Sequence, residues 1–218
     1  MRGLILLEGP NLFSAAASAG LRFETILATE DDFDTHQRAG RLGQRVTLVS
    51  DRVLSAAADA DHPRSPVASA VAPEESVPRP ANTVILVGLS DPGNAGTIIR
   101  TAAAFGWDVA RTPNTVDLWG PKTLRAGAGA HFSTGIWSVP DIATLGDTHT
   151  VIATLPRPHV VSPPMPGPYA LLVGNEAHGL DTEVVTEAHA VLSIPMAGDA
   201  ESLNAAVAAG VAMYILDQ

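Results

Sequence analysis

Two hundred and eighteen residues, 46% of them hydrophobic and 17% charged, suffice to bury a core in one large domain or two small ones, which excludes wholesale disorder. Thirteen basic residues against 23 acidic ones leave a net charge of −10, a balance that counts against nucleic acid as a partner, although arginine, which supplies every cation but Lys122, binds phosphate locally and bidentately. The absence of cysteine excludes disulfides, zinc-thiolate sites, iron–sulfur clusters and thiol nucleophiles and makes the cytoplasm the default compartment, and no uncharged apolar run is long enough for a transmembrane helix.

From the N-terminus, residues 4–7 (LILL) read as a buried strand rather than a leader, because Glu8 cuts the apolar run short and no small-residue cleavage site follows. Asn11 is expected to cap an alanine-rich helix over 11–20, with Gly20 past its end. Strands over 21–29 (LRFETILAT) and 46–50 (VTLVS) flank a charged stretch, and a segment rich in Pro, Ser and Ala follows. APEESVPRPAN at 72–82 then reads as a linker. These signals divide the chain into a small α/β domain at 1–73, a linker at 74–82 and a second domain at 83–218. In the second, 84–89 (VILVGL) is a continuous apolar run of buried-strand type; a Gly/Pro turn leads to a helix over 97–105 that Gly106 ends. Further strands are expected at 108–111, 151–154, 170–173 and 191–194. The last leads to a helix from about 201 to 216, apolar nearly all round and so buried in the core or against another chain. The alternation predicts a parallel sheet flanked by helices.

In such a sheet ligands gather at the carboxyl ends of the strands, and four turns there carry unusual residues. SDPGNAGTIIR at 90–100 offers two glycines, helix N–H groups for an anion, and Arg100 one turn inside; a plain strand-to-helix turn with a surface arginine fits the same residues. VGNEAHGL at 173–180 sets Glu176 between glycines, where it orients a ligand, moves a proton or simply caps the turn, beside His178, which is able to titrate near neutrality. IPMAG at 194–198 precedes Ser202, expected as the helix cap, and Asn204, which capping leaves unexplained inside the first turn. KTLRAGAGA at 122–130 holds Lys122 and Arg125, a minimal phosphate site or a flexible loop. No G-x-G-x-x-G, phosphate loop, nucleophile elbow or metal-binding histidine spacing occurs, so no metal is expected.

In this order and spacing, NAGTIIR at 94–100, LVGNEAHGL at 172–180 and IPMAGDAESLN at 194–204 resemble the three motifs of the SpoU (TrmH-like) branch of the SPOUT methyltransferases. KTLRAGAGAHF at 122–132 is similar to that family's intermediate stretch, and LLEGPNLFSAAASAG at 6–20 looks like the opening of the L30e-like RNA-binding domain that often precedes the catalytic one. The resemblance implies an α/β fold: a small L30e-like N-terminal α/β domain followed by a parallel-sheet SPOUT domain with a C-terminal trefoil knot, an exception to the rule of unthreaded chains. It also implies S-adenosyl-methionine as cofactor, RNA (tRNA or rRNA) as the partner methylated on a ribose 2'-hydroxyl, and a homodimer completing the active site across its interface. Carried over position by position, Asn94, Arg100, Glu176, Ser202 and Asn204 match the catalytic set. Thr154, Leu155, Gly174, Asn175, Ile194, Met196 and Leu203 match the cofactor contacts, and Lys122 and Arg125 are candidate substrate contacts. The arginine of the first motif is the family's proposed base; a guanidinium is a poor base in ordinary surroundings, and phosphate positioning is its larger expected share. The acidic composition keeps a nucleoside-type small-molecule acceptor in play, and a non-catalytic binding relative that has kept the fold is a third reading.

Overall fold

The computed structural model describes residues 3–156, 166–196 and 202–218. Two sheets organise them. The first has the order β1-β4-β2-β3, with β1 (Leu4–Glu8), β2 (Phe23–Ala28), β3 (Thr47–Leu48) and β4 (Val67–Val71). The central β4 pairs antiparallel with β1 and β2, while the short edge strand β3 runs parallel to β2. Helices α1 (Pro10–Ser18), α2 (Phe33–Arg41) and α3 (Asp51–Ala57) complete this part.

Several expectations change here. Gly9, not Asn11, occupies the N-cap of α1, with Pro10 in the first turn, so Asn11 already lies inside the helix. The charged stretch at 30–45 contains α2, capped by the Asp32 carboxylate accepting from the Thr35 N–H at 3.1 Å and buried through Thr35 and Ala39. The Pro/Ser/Ala-rich segment holds the central strand of the sheet: Val67, Ala68 and Ala70 are buried. Small alternating residues carry little strand propensity, and cross-strand burial on both sides decides the matter.

The second sheet has six parallel strands in the order β10-β8-β9-β5-β6-β7, formed by β5 (Thr83–Leu86), β6 (Asp108–Arg111), β7 (Ile136–Ser138), β8 (Thr150–Leu155), β9 (Tyr169–Val173) and β10 (Ala190–Ser193). The parallel α/β architecture is therefore as the sequence implies; β7 and helix α6 (Thr182–Glu187) add to it. The expected knot depends on residues 157–165 and 197–201, which lie outside the described residues.

Period-two burial along β5 separates two cores: Val84 and Leu86 pack with α4 (Pro92–Phe105), Trp107 and α7 (Ala205–Leu216), while Ile85 faces Ala110, Trp137 and Leu145. The expected Gly/Pro turn is already the first turn of α4, because Asp91 caps it through the Asn94 N–H (2.7 Å) and Pro92 takes a position that needs no N–H. Gly106, at φ 73°, ends the helix in the left-handed conformation that glycine adopts freely.

The stretch at 122–130, open between a phosphate site and a flexible loop, is largely helix α5 (Pro121–Gly127). It lies so close to α4 that a Cβ on Gly96 would stand 2.5 Å from both the Ala126 methyl and the Thr123 carbonyl oxygen. α5 also joins the two sheets. Leu124 belongs to the core of the first sheet, and the Arg125 guanidinium pairs with the buried Glu8 carboxylate of β1 and with Asp59 (2.9 Å). Residues 74–82 contain no helix or strand but are fixed along the β7 edge. The Ser76 N–H donates to the Ile136 carbonyl (2.7 Å), and Arg79 grips the buried Asp108 carboxylate bidentately (2.7 and 2.8 Å). No helix among the described residues is long and apolar enough to cross a membrane.

His131, 2% exposed and against Trp119, follows α5. Burial, only partly opposed by the Leu118 carbonyl, pushes its imidazole down from 6.5 to about 4. Between those values the unfolded chain binds the proton and the folded one does not, so the contribution of His131 to stability falls as pH drops from 6.5 to 4 and is constant outside that window. A loss of roughly 3 kcal/mol is the upper expectation. Urea titrations across that range should show the loss in the wild type and a flattened profile in His131→Phe; equal slopes would remove His131 as the cause.

Candidate active site

At the carboxyl ends of β8, β9, β10 and β5 the chain leaves a cavity of about 890 Å³, within the range that holds a small-molecule cofactor. The strand order explains its position: the chain moves outward from β5 to β6 and β7, then returns to the other side of β5 with β9 and β8, so loops leave in opposite directions at the β5/β9 junction.

The Glu176 carboxylate organises one wall. It accepts hydrogen bonds from the Ser90 N–H (3.1 Å) and hydroxyl (2.8 Å), the Asp91 N–H (3.0 Å) and the Asn94 side-chain amide (3.0 Å). Partial burial alone would raise its pKa, but the bonds from Asn94, from Ser90 and from its own backbone outweigh that and hold it at about 2. A carboxylate of that acidity is a poor proton acceptor at neutral pH, and its geometry is that of an anchor. Asn94 passes the connection on: its side-chain oxygen accepts from the Asn204 side-chain amide at 2.9 Å. Asn204 in turn caps α7, its oxygen accepting from the Ala206 (2.9 Å) and Val207 (3.2 Å) N–H groups. This corrects the reading of Ser202 as cap and Asn204 as a residue inside the first turn: α7 starts at Ala205, and residue 201, the expected start, lies outside the described residues.

The turn after β9 is shaped by Gly174 and Asn175. A Cβ at Gly174 would meet the Gly179 carbonyl carbon at 2.4 Å, so glycine alone fits. Asn175 closes the turn by exchanging backbone hydrogen bonds with Gly179 (3.0 and 2.8 Å), and its side chain donates to the Gly88 carbonyl (2.9 Å). Thr154 spends its hydroxyl on the Leu172 carbonyl (2.8 Å) and also lines the cavity. Leu155, Ile194, Met196 and Leu203 supply an apolar wall, and Ser202 also lines the space.

Eleven of the fourteen residues matched to the family's site thus converge on one cavity, and His178 lines it as well. Arg100, Lys122 and Arg125 do not line it. Arg100 is exposed on α4, about 9 Å of helix rise beyond Asn94 and on another side, with no hydrogen bond or ion pair among the described residues. Lys122 is exposed on α5. Arg125 is corrected as a phosphate contact, since two carboxylates already neutralise it at the junction of the sheets. Sequence reasoning missed Ser90 and Asp91 as partners of Glu176. The Asp-Pro pair was the available signal, because it marks an N-cap and the N–H groups that follow.

A family model described as the SpoU rRNA Methylase family matches residues 81–214. The chain belongs to this family. It is 31% identical to the 23S rRNA (guanosine(2553)-2'-O)-methyltransferase RlmP of Bacillus subtilis over 97% of this chain and 87% of that protein. Among solved structures, the SpoU methyltransferase AviRb from Streptomyces viridochromogenes in complex with AdoMet superposes with a TM-score of 0.86 at 26% identity, covering 99% of this chain and 90% of the other. The AdoMet-bound rRNA methyltransferase from Sinorhizobium meliloti gives 0.82 at 29% identity, covering 97% and 85%.

Glu176→Gln replaces two charged acceptor oxygens by one acceptor and one donor, so at least one of the four donors loses its partner. We expect a lower Tm at pH 7. Because the folded-state pKa is depressed from 4.5 to about 2, the wild type gains stability as pH rises through that interval, and the variant should lack this gain. Thermal unfolding at pH 2, 3, 4.5 and 7 reads both effects; a variant that keeps the wild-type pH dependence would separate Glu176 from it.

Proposed function

We propose that this protein is an S-adenosyl-methionine-dependent methyltransferase that modifies a ribose 2'-hydroxyl in rRNA or tRNA, working in the cytoplasm as a homodimer. The observation that carries the reading is the hydrogen-bonded chain Ser90–Glu176–Asn94–Asn204, which unites the residues of all three family motifs at one cavity. Residues 83–218 form the catalytic domain in this reading and 1–73 an L30e-like substrate-binding domain.

The cavity suits the cofactor in size and chemistry. Leu155, Ile194, Met196 and Leu203 offer apolar surface to an adenosine, with backbone groups of Gly174 and Asn175 beside them. The described lining includes the carboxylates Asp91 and Glu176 and no lysine or arginine, a balance that favours a cation over a phosphate. When bound, S-adenosyl-methionine supplies a methyl group already activated by its sulfonium. What remains for the chain is alignment of the acceptor hydroxyl and removal of its proton. Asn94 and Asn204 are held rigidly at the cavity rim by Glu176 and the α7 cap, and Ser202 stands beside them, so these three side chains position the acceptor.

A phosphate next to the acceptor ribose needs a cation that the described cavity does not contain. Arg100, exposed and unpaired among the described residues, supplies it to the cavity of a second copy. The exposed α7 residues Val207 (53%), Tyr214 (56%) and Ile215 (45%) give the apolar surface for that association. α7 is therefore buried on one side only, through Ala206, Ala209, Ala212 and Met213.

Transfer of labelled methyl groups from S-adenosyl-methionine to unmodified total rRNA and tRNA tests the reading. Label is expected in RNA with the wild type and reduced at least 100-fold with Arg100→Ala; no label in either RNA, with cofactor binding intact, would turn the assignment to a small-molecule acceptor. Mixing Arg100→Ala with Asn94→Ala, each inactive as a homodimer, should restore up to about a quarter of wild-type activity, the statistical share of composite sites with both residues intact. Failure to restore any activity in verified mixed dimers would place Arg100 in its own subunit's site.

A further inference from the structure

The formal charge of −10 is not spread evenly. From the start of α2 to the end of α3, residues 33–57 carry four arginines, Arg38, Arg41, Arg45 and Arg52, against two carboxylates, Asp34 and Asp51; the other nine cations face 21 carboxylates. All four arginines are exposed, and none is in an ion pair among the described residues; only Arg41 has a side-chain partner, Gln37 at 3.0 Å. Elsewhere Arg22, Arg79, Arg111 and Arg125 are each paired with carboxylates, and Arg64, Arg100 and Lys122 are exposed without an ion pair among the described residues but stand singly along the sequence.

The fold brings the four together along one edge. α2 ends with Arg38 and Arg41 and leads to Arg45 and the edge strand β3; α3, with Arg52, leaves it. β3 lies at the opposite edge of the sheet from β1, the strand tied to α5 through Glu8 and Arg125, and the chain returns to that junction at Asp59, after α3. Favourable interaction with the α2 dipole accounts for Arg38 and Arg41, but not for Arg45 or Arg52. Leu42 (43%), Leu48 (59%) and Val53 (48%) lie exposed among them, apolar surface that water alone does not favour.

We propose that this α2–β3–α3 edge is where the RNA substrate docks, its phosphates held by Arg38, Arg41, Arg45 and Arg52 and its sugars and bases lying on Leu42, Leu48 and Val53. This rests on the RNA reading above and assigns the docking surface within it. Four unpaired guanidiniums match the spaced charges of a phosphate backbone, and the acidic remainder of the chain disfavours non-productive RNA contacts.

The test is binding of an unmodified large-subunit rRNA transcript by the full-length protein carrying Arg38→Gln, Arg41→Gln, Arg45→Gln and Arg52→Gln, with Arg22→Gln as the control outside the edge. The Kd at about 0.1 M salt should rise at least 10-fold, and the slope of log Kd against log salt should fall by roughly 3, since each phosphate contact contributes nearly 1. Methyl transfer should show a raised KM for RNA with kcat at saturation retained, and cofactor affinity should not change. If the fourfold variant fails to fold, the pairs Arg38→Gln/Arg41→Gln and Arg45→Gln/Arg52→Gln each carry half the expected slope change. A folded variant that binds RNA with wild-type Kd and salt slope overturns the docking surface and leaves the methyltransferase reading intact; wild-type protein that binds RNA through this edge but methylates none fails the reading alone.

Discussion

One carboxylate holds the site together. Glu176 sits on the turn after β9, yet its hydrogen-bond donors come from Ser90, Asp91 and Asn94 at the start of α4, more than eighty residues earlier in the chain. The start of a helix presents unpaired N–H groups and a partial positive charge, so an anion is favoured there, and here the protein supplies the anion itself. Through Asn94 the same contact reaches Asn204 and fixes where α7 begins. Three segments that must agree on the shape of one cavity are thus tied by a single ionised group. It stays ionised at any physiological pH because its neighbours lower its pKa to about 2.

That arrangement divides the labour of the cavity. Glu176 has its oxygens committed, Asp91 is committed as the α4 cap, and Asn175 and Thr154 spend their side chains on main-chain carbonyls. The polar residues nearest the strand ends therefore set geometry, and apolar side chains with backbone groups form the adjoining surface. Preorganisation of this kind suits a reaction whose electrophile arrives activated, because alignment is then the main contribution left to the protein. The close packing of α5 on α4 at Gly96 serves the same end, fixing the helix that carries Asn94.

How much of this was legible depended on whether local pattern or distant pairing decided the outcome. Apolar runs of the β5, β8, β9 and β10 type declare themselves, because a strand buried on both faces needs little else. β4 did not, since Ala68, Ser69 and Ala70 owe their strand to β1 and β2 on either side. α2 was hidden by its charges, having only Thr35 and Ala39 buried. At the site, Asn94, Glu176 and Asn204 were legible as motif members but their mutual bonding was not, because sequence spacing carries no record of which side chains meet. Asn204 was misread for a related reason: counting the α7 start from Ser202 places it within the helix, whereas its side chain ends up supplying the cap. Arg125 was misread because its partners, Glu8 of β1 and Asp59 after α3, come from the other part of the chain.

Net charge was the most misleading of the global properties. A total of −10 averages a locally basic α2–β3–α3 segment with an acidic remainder. At physiological ionic strength interactions between exposed charges fade within about 8 Å, so RNA approaching the β3 edge responds mainly to the charges near that edge and little to carboxylates elsewhere. The two carboxylates at the cavity act over an equally short range, on whatever occupies the cavity. An acidic chain is therefore compatible with an RNA substrate provided several of its unpaired cations are clustered. The pairing of Arg22, Arg79, Arg111 and Arg125 with carboxylates sharpens the contrast, leaving Arg64, Arg100 and Lys122 as the exposed cations without an ion pair elsewhere among the described residues.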